Sequence, residues 1–326
     1  MSTPHGRWPL SFYTCIVRWT GERMVLEPEN VRARLATLQQ AGIHWIGVDG
    51  INAMEPTDLC YEEVAPRIAE WFTEHDLRLS SLHFAGPTFA PLGSSQEAVQ
   101  HNLLRFINLF SVWRPRSIVI HADWILGANT TEAIKLAHDA EAQRHGAEAV
   151  LQTIAANLKL MARAAAAHGI RLALENMGPF DRCSDTFTLP RLVAMVAEPN
   201  VGYCIDSGHA HLHGENVAQW IMQAGARLFE THFHDNRSRG LDEHLPVGFG
   251  TISWPDVILA LDAVGFEGPV TFETGGWPGP DPAQGYRRAM EWWYACGLVA
   301  ARLGHKPDNW WTAGTAAGNT SSSSGT

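Results

Sequence analysis

The chain has 326 residues, of which 45% are hydrophobic and 18% charged, a composition typical of a globular protein with a large core. Its formal net charge of −10 argues against nucleic acid and anionic membrane surfaces as partners. The five cysteines are dispersed and form no CxxC pair, and no apolar run is long enough for a signal core or a bilayer span. We therefore expect a cytoplasmic protein with reduced thiols.

Short apolar runs alternate along the chain with longer helical patterns, which is typical of a parallel sheet. The runs predict strands near Phe12–Val17, Trp45–Asp49, Leu79–His83, Ser117–His121, Arg171–Glu175, Val201–Asp206, Leu228–His234 and Pro269–Glu273. Helices are predicted at Pro28–Gln40, Tyr61–Glu74, Gln96–Phe110, Ala147–Ala167, Leu189–Val196, Val217–Ala224, Pro255–Val264 and Arg287–Leu303. Glycines stand where three of these helices should stop, at Gly42, Gly169 and Gly265.

Eight strand–helix pairs without a glycine-rich nucleotide loop favour a closed (β/α)8 TIM barrel over a doubly wound sheet. No boundary for a second domain is visible, so the barrel is expected to occupy residues 1–311 as a single domain. The remaining tail, Thr312–Thr326, is rich in Ala, Gly, Ser and Thr. This composition predicts disorder.

Acidic residues and histidines recur at the ends of the predicted strands. All such ends point to one face of a parallel barrel, which is where barrel active sites form. A lone histidine at a strand end is more often a hydrogen-bonded core residue, but the recurrence over six strands indicates a site. The six residues are His83, His121, Glu175, Asp206, His232 and Glu273.

Several carboxylates gathered in one place repel each other, and burying them unpaired is costly. A divalent cation resolves both problems, and a mixed shell of His and carboxylate suits Zn, Mn, Fe or Co better than Ca. His232 and His234 share one strand face, so periodicity leaves the choice of ligand between them open. Further donors follow the strands at His209, Asp242 and His244.

With these residues in place, the chain resembles the xylose isomerase-like TIM barrel superfamily, which includes sugar phosphate isomerases and epimerases and the endonuclease IV-type AP endonucleases (AP endonuclease family 2). The resemblance runs from about the first predicted strand to the eighth. The motifs that carry it are Leu-Glu175-Asn, Cys-Ile-Asp206-Ser-Gly-His209-Ala, His232-Phe-His-Asp235-Asn, Asp242-Glu-His244-Leu-Pro-Val-Gly248-Phe-Gly250 and Phe-Glu273-Thr.

The epimerase branch of this family implies one divalent metal, Mn, Zn, Co or Mg, held by residues that match Glu175, Asp206, His232 and Glu273. The family pattern selects His232 over His234 because its ligand lies three residues before an Asp. Glu175 and Glu273 would also be the catalytic pair, transferring a proton through a metal-stabilised enediolate. The resemblance thus implies a metal-dependent isomerase or epimerase of a sugar, sugar phosphate or keto-sugar.

Substrate contacts are expected from residues beyond the strand ends. His209 would hydrogen-bond a substrate oxygen. His234 stands where relatives often carry Lys or Asn, so it is expected either to support the metal ligands from behind or to contact the substrate. Arginines after the seventh strand would bind an anionic or hydroxylated group, and a role as solvated loop arginines is equally compatible with their position. Trp124 could stack on a sugar ring, although most tryptophans are core residues. The set is His209, His234, Arg237, Arg239 and Trp124.

The endonuclease IV branch implies a second function, hydrolysis at a multinuclear centre. Its three metals are bound by nine residues, and the matching positions here all carry compatible side chains. Beyond the four ligands already named, these are His83, His121, His209, Asp242 and His244. The acidic charge balance disfavours DNA as the substrate.

The same residues are also compatible with a lyase acting on an oxidised sugar and with a non-catalytic sugar-binding barrel. For the leading interpretation, the expected partner is a small carbohydrate. Dimers are common among related barrels, so a homodimer is the assembly to test first.

Overall fold

The computed structural model describes residues 7–20, 22–51, 59–128, 130–177, 188–237, 240–274 and 277–304. Two features of the sequence lie outside the described residues: the tail Thr312–Thr326 and Arg239. In the described part of the chain, no helix combines the length and the apolar character needed to cross a bilayer.

The described strands are β1 (Leu10–Thr14), β2 (Val17–Trp19), β3 (Met24–Leu26), β4 (Trp45–Ile51), β5 (Arg78–Phe84), β6 (Ser117–Ile120), β7 (Arg171–Glu175), β8 (Val201–Asp206), β9 (Leu228–His232) and β10 (Val270–Phe272). All except β2 and β3 are parallel neighbours in the order β10-β1-β4-β5-β6-β7-β8-β9. The circle closes between β9 and β10, where Phe233 donates its N–H to Thr271 O at 2.9 Å and accepts from Glu273 N at 3.1 Å. The predicted (β/α)8 TIM barrel is confirmed.

Helices surround the barrel at α1 (Pro28–Gln40), α2 (Tyr61–Glu74), α3 (Glu97–Phe110), α4 (Thr131–His145), α5 (Ala147–Ala166), α6 (Thr188–Val196), α7 (Ser207–Leu212), α8 (Val217–Ala224), α9 (Trp254–Ala263) and α10 (Pro282–Leu303). α10 begins five residues before the predicted start, because Asp281 caps the helix by accepting from Ala283 N and Gln284 N. The three predicted helix-ending glycines, Gly42, Gly169 and Gly265, all have positive φ, as expected for residues that terminate helices.

The barrel strands are buried on both faces, since helices cover the outside and side chains fill the inside. Every residue of β6 and β8 is buried. One polar group inside the barrel is well paired: the Glu230 carboxylate accepts from Ser117 Oγ at 2.9 Å and from Thr271 Oγ1 at 2.6 Å. These hydrogen bonds compensate part of the cost of burying Glu230.

The predicted first strand, Phe12–Val17, is wrong at its carboxyl end. β1 stops at Thr14, and Val17 begins a separate antiparallel hairpin of β2 with β3. Two helices were not predicted, α4 and α7. α4 is hard to predict from periodicity because its buried residues are polar, His138 and Glu141, and its apolar residues that pack against the core are only partly buried.

Candidate metal centre and active site

The barrel gathers the six predicted strand-end residues at one face. Three of them are the last residues of their strands, and two directly follow a strand. The remaining one stands one residue before the end of β5. In the order of the strands β5 to β10, the residues are His83, His121, Glu175, Asp206, His232 and Glu273.

The centre of the group is the imidazole of His232, which is fully buried. Its Nδ1 lies 3.1 Å from Glu175 Oε1 and 3.2 Å from Glu273 Oε2. Glu175, Asp206, His232 and Glu273 each bring a donor atom within 4.8 Å of the others. The four residues that the family pattern selects therefore lie close enough to bind one ion.

His234 is also buried and lies in the same region, but it contacts Asp206 rather than the two glutamates. Its Nε2 lies 3.1 Å and 3.0 Å from the two oxygens of Asp206. A side chain at position 208 would overlap the His234 ring, so Gly208 is required for this approach. His234 thus flanks Asp206, whereas His232 lies between the two glutamates.

A second group of possible metal ligands lies at the other carboxylate oxygen of Glu175. Its Oε2 is 3.3 Å from His121 Nε2 and 3.7 Å from His83 Nε2. The two imidazoles meet edge to face, and their Nε2 atoms lie 3.0 Å apart. His83, His121 and Glu175 therefore form a second set of possible metal ligands. The two sets share the carboxylate of Glu175.

A third group is built around Asp242 in the loop after β9. Asp242 Oδ2 lies 3.2 Å from His209 Nε2 and 3.0 Å from His244 Nε2. The His244 ring stacks on that of His234 with centroids 3.9 Å apart. All nine residues implied by the multinuclear branch thus fall into three adjoining groups.

The charges in these groups stabilise one another. Burial acts to raise the pKa of Glu175, but the adjacent His232 and His121 hold it well below its usual range. Burial acts to lower the pKa of His232, yet the carboxylates around it, Glu175 and Glu273, raise it well above the ordinary value. Without an ion, a buried imidazolium between carboxylates is the arrangement that balances the charge.

The donor set fits a divalent metal ion. Glu175 Oε2 and His232 Nδ1 are buried and have no partner with hydrogen-bond geometry among the described residues. Buried polar atoms without protein partners are rare in folded proteins and point to a bound ion or water. Imidazole nitrogens with carboxylate oxygens are donors suited to transition metals. A bound cation would accept the lone pairs of Glu175 Oε2 and His232 Nδ1.

The predicted substrate contacts have varied surroundings. His209 is buried, and its Nδ1 lies 2.9 Å from Asn176 O. Arg237 forms an ion pair with Glu243 at 3.0 Å within the loop. The indole N–H of Trp124 donates to Ala128 O at 2.7 Å, which leaves only its ring face for a ligand.

Three residues that support the site were assigned no role from the sequence. Tyr13, on β1, places its hydroxyl 2.6 Å from His232 Nε2. Asp235 is fully buried and accepts from Gly248 N and Trp254 Nε1, both at 2.9 Å. Asn236 accepts from Glu243 N at 2.6 Å. Asp235 and Asn236 belong to the His232-Phe-His-Asp235-Asn motif, which indicates their position next to the site but not what they bind.

Comparison with known proteins places this geometry in a family. A family model described as a xylose isomerase-like TIM barrel matches residues 35–296. An inosose isomerase from Bacillus subtilis is 30% identical over 118 residues, 32% of this chain and 40% of that protein. The protein MJ1311 of Methanocaldococcus jannaschii is 32% identical over 111 residues, 32% of this chain and 37% of that protein. The chain thus covers two fifths or less of these curated relatives.

Solved structures agree on the fold. An L-ribulose 3-epimerase superposes with a TM-score of 0.63 at 18% identity, covering 91% of this chain and 99% of that one. A 3-keto-D-glucoside 4-epimerase from E. coli superposes with a TM-score of 0.62 at 16% identity, covering 88% and 100%. Since the family model spans most of its length, the chain belongs to the xylose isomerase-like TIM barrel family.

Proposed function

We propose that this protein is a divalent-metal-dependent isomerase or epimerase of a sugar, sugar phosphate or keto-sugar. The observation that carries the proposal is the approach of Glu175 and Glu273 to one imidazole nitrogen, at 3.1 Å and 3.2 Å from His232 Nδ1. Two carboxylates that approach one point from different strands are suited to removing a proton from a substrate carbon and returning it. Mn, Zn, Co and Mg are the candidate ions.

In this proposal, the four central residues divide the work. A bound divalent ion supplies Lewis-acid chemistry, which stabilises negative charge on the oxygens beside the reacting carbon. Asp206 and His232 hold the ion, while Glu175 and Glu273 hold it and also transfer the proton. Glu175 is almost fully buried and Glu273 is partly exposed, so the two glutamates differ in access to solvent and therefore to an exchangeable proton.

Substrate positioning falls to residues around this centre. The buried His209 has its Nε2 3.2 Å from Asp242, and we assign it to a substrate oxygen. His234 would hold Asp206 in place and contact the substrate, and Arg237, Arg239 and Trp124 are the further candidates for contacts with it. The names of the relatives, an inosose isomerase and epimerases of L-ribulose and a keto-glucoside, support a small carbohydrate substrate.

Proton exchange at carbon tests the proposal. The metal-loaded protein is incubated in deuterated water with L-ribulose, D-allulose and inosose, and deuterium in the recovered sugar is measured by mass spectrometry. Glu175→Gln and Glu273→Gln should each abolish the exchange that the unaltered protein catalyses. Glu74→Gln is the matched control, because Glu74 ends α2 and forms an exposed ion pair with Arg32. Full exchange in both glutamine variants at the site would overturn the assigned roles.

A second candidate is a multinuclear metal-dependent hydrolase or phosphodiesterase. It is favoured by the two additional donor groups, one at His83 and His121 and one at Asp242 and His244. Elemental analysis separates the two functions: one ion per chain supports proton transfer, whereas two or three zinc ions support hydrolysis. In the first case, His83→Asn should leave the ion count unchanged.

A further inference from the structure

The imidazole of His232 is contacted on its far side by a tyrosine from another strand. The hydroxyl oxygen of Tyr13 lies 2.6 Å from His232 Nε2. The two rings meet edge to face, with centroids 4.8 Å apart and an interplanar angle of 81°. His232 thus has one nitrogen facing two carboxylates and the other facing a phenol.

The fold makes a place for this tyrosine. Tyr13 on β1 pairs in register with Gly47 on β4. A Cβ atom at position 47 would lie 2.7 Å from the Tyr13 ring, closer than carbon atoms approach without strain. Any other residue at position 47 would push the ring away from its present position. The absence of a side chain on Gly47 therefore allows the contact between Tyr13 and His232.

The direction of this hydrogen bond decides which imidazole nitrogen is free. A hydrogen bond between the Tyr13 oxygen and His232 Nε2 uses one proton, which belongs either to the phenol or to the imidazole. If the phenol donates, neutral His232 carries its proton on Nδ1, which then cannot bind a cation. If Nε2 donates, the lone pair of Nδ1 is free and points toward Glu175 and Glu273.

We propose that Tyr13 is a positioning residue that accepts a hydrogen bond from His232 Nε2 and so presents Nδ1 to a divalent metal ion. The inference rests on the proposed metal-dependent function and goes beyond it by selecting the ligating nitrogen. Outer partners of ligating histidines fix the tautomer and the ring orientation. Here the outer partner is a neutral phenol, which orients the ring without adding a fourth negative charge beside Glu175, Asp206 and Glu273.

Metal affinity tests the role of the hydroxyl. Tyr13→Phe removes one oxygen and keeps the ring that packs on Gly47 and His232. We expect Zn²⁺ and Co²⁺ to bind this variant about 10- to 100-fold more weakly by calorimetric titration. Tyr203→Phe, on β8, is the matched control and should bind both ions as the unaltered protein does. Thermal unfolding of the metal-free proteins reports separately on any loss of packing.

A second measurement on the unaltered protein does not depend on the variant. In the zinc-loaded protein, long-range ¹H–¹⁵N correlation should show His232 protonated at Nε2 and without a proton at Nδ1. Zinc binding through Nε2, or equal affinities in Tyr13→Phe and the unaltered protein, would overturn the inference and leave the proposed function standing. Failure of the unaltered protein to bind any divalent ion would instead overturn the proposed function.

Discussion

Glu175 and Glu273 come from strands that are not neighbours in the barrel, yet both reach the same nitrogen of His232. The distances from Nδ1 are 3.1 Å to Glu175 Oε1 and 3.2 Å to Glu273 Oε2. This nitrogen is buried and lacks a partner with hydrogen-bond geometry in the described part of the chain. The three side chains are consequently arranged around a point that a cation can occupy.

Removal of the imidazole should therefore remove the ion. His232→Asn is expected to weaken Zn²⁺ binding by at least about 100-fold, since loss of even an outer partner costs about 10- to 100-fold. Metal content after gel filtration and calorimetric titration measure the effect. His211→Asn is the control, because His211 lies in α7 and contacts Thr251 at 2.8 Å. A tightly bound ion retained in His232→Asn would contradict the assignment of His232 as a ligand.

Much of the barrel could be predicted because its strands are buried on both faces and end in charged residues. The bounds of β7 and β8 agree with the prediction, and the last residues of both strands, Glu175 and Asp206, lie in the site. The parallel arrangement then brings residues from distant parts of the chain to one face. The alternation of apolar and helical segments was therefore enough to predict the barrel and the face on which the strand-end residues meet.

The choice between His232 and His234 could not be made from periodicity. Both are fully buried, and both lie next to an acidic residue of the site. What separates them is the path of the chain after β9, which aims His232 at the glutamates and His234 at Asp206. The orientation of each imidazole depends on contacts with residues of other strands, such as Tyr13. A tyrosine in an apolar strand has no sequence pattern that would predict such a contact.

The loop that carries Asp242 and His244 should depend on Asp235. The Asp235 carboxylate accepts hydrogen bonds from Gly248 N, Ile252 N and Trp254 Nε1. Asp235→Ala leaves these donors without partners in a buried setting, and we expect a loss of about 3–5 kcal/mol in the free energy of unfolding. Urea denaturation measures the loss.

The control for this prediction is an aspartate on the surface. Asp262 is half-exposed and forms an ion pair with Arg7, so Asp262→Ala should cost less than about 1 kcal/mol. Similar losses in the Asp235 and Asp262 variants would contradict an anchoring role for Asp235. A normal unfolding free energy in Asp235→Ala would do so as well.

Gly208 should be irreplaceable because of its contact with His234. A Cβ atom at position 208 would overlap the imidazole ring. Gly208→Ala is expected to reduce the free energy of unfolding by about 1–3 kcal/mol, the usual cost of overpacking, and to weaken Zn²⁺ binding by displacing His234 from Asp206. Gly279→Ala, at a position with open space, should change unfolding by less than about 1 kcal/mol.

A double-mutant cycle identifies the cause of the stability loss expected for Gly208→Ala. If the methyl group acts through the imidazole, His234→Ala should relieve the overlap, and the double variant should be more stable than the sum of the single effects predicts. Urea denaturation of the four proteins provides the comparison. Strictly additive losses would show that Gly208 is required for a reason other than the His234 ring.

The last prediction concerns the thiol of Cys15, which directly follows β1. Partial burial and the carboxylate of Asp49, whose Oδ2 lies 3.6 Å from the Cys15 sulfur, raise the pKa of Cys15 to about 11 from an ordinary value of 9.0. Because only the thiolate is nucleophilic, alkylation of Cys15 by iodoacetamide should be slow at pH 8 and accelerate about tenfold per pH unit up to pH 10. Peptide mass spectrometry after timed labelling measures the rate.

The role of the carboxylate is tested by Asp49→Asn, which removes the negative charge and keeps the size of the side chain. The pKa of Cys15 should fall, so that labelling at pH 8 becomes faster while the rate near pH 11 changes little. Cys60, the exposed thiol before α2, serves as an internal control whose rate should be the same in both proteins. If Cys15 reacts at pH 8 as fast as at pH 11, its thiol is not held in the protonated form, and Asp49 does not act on it as inferred.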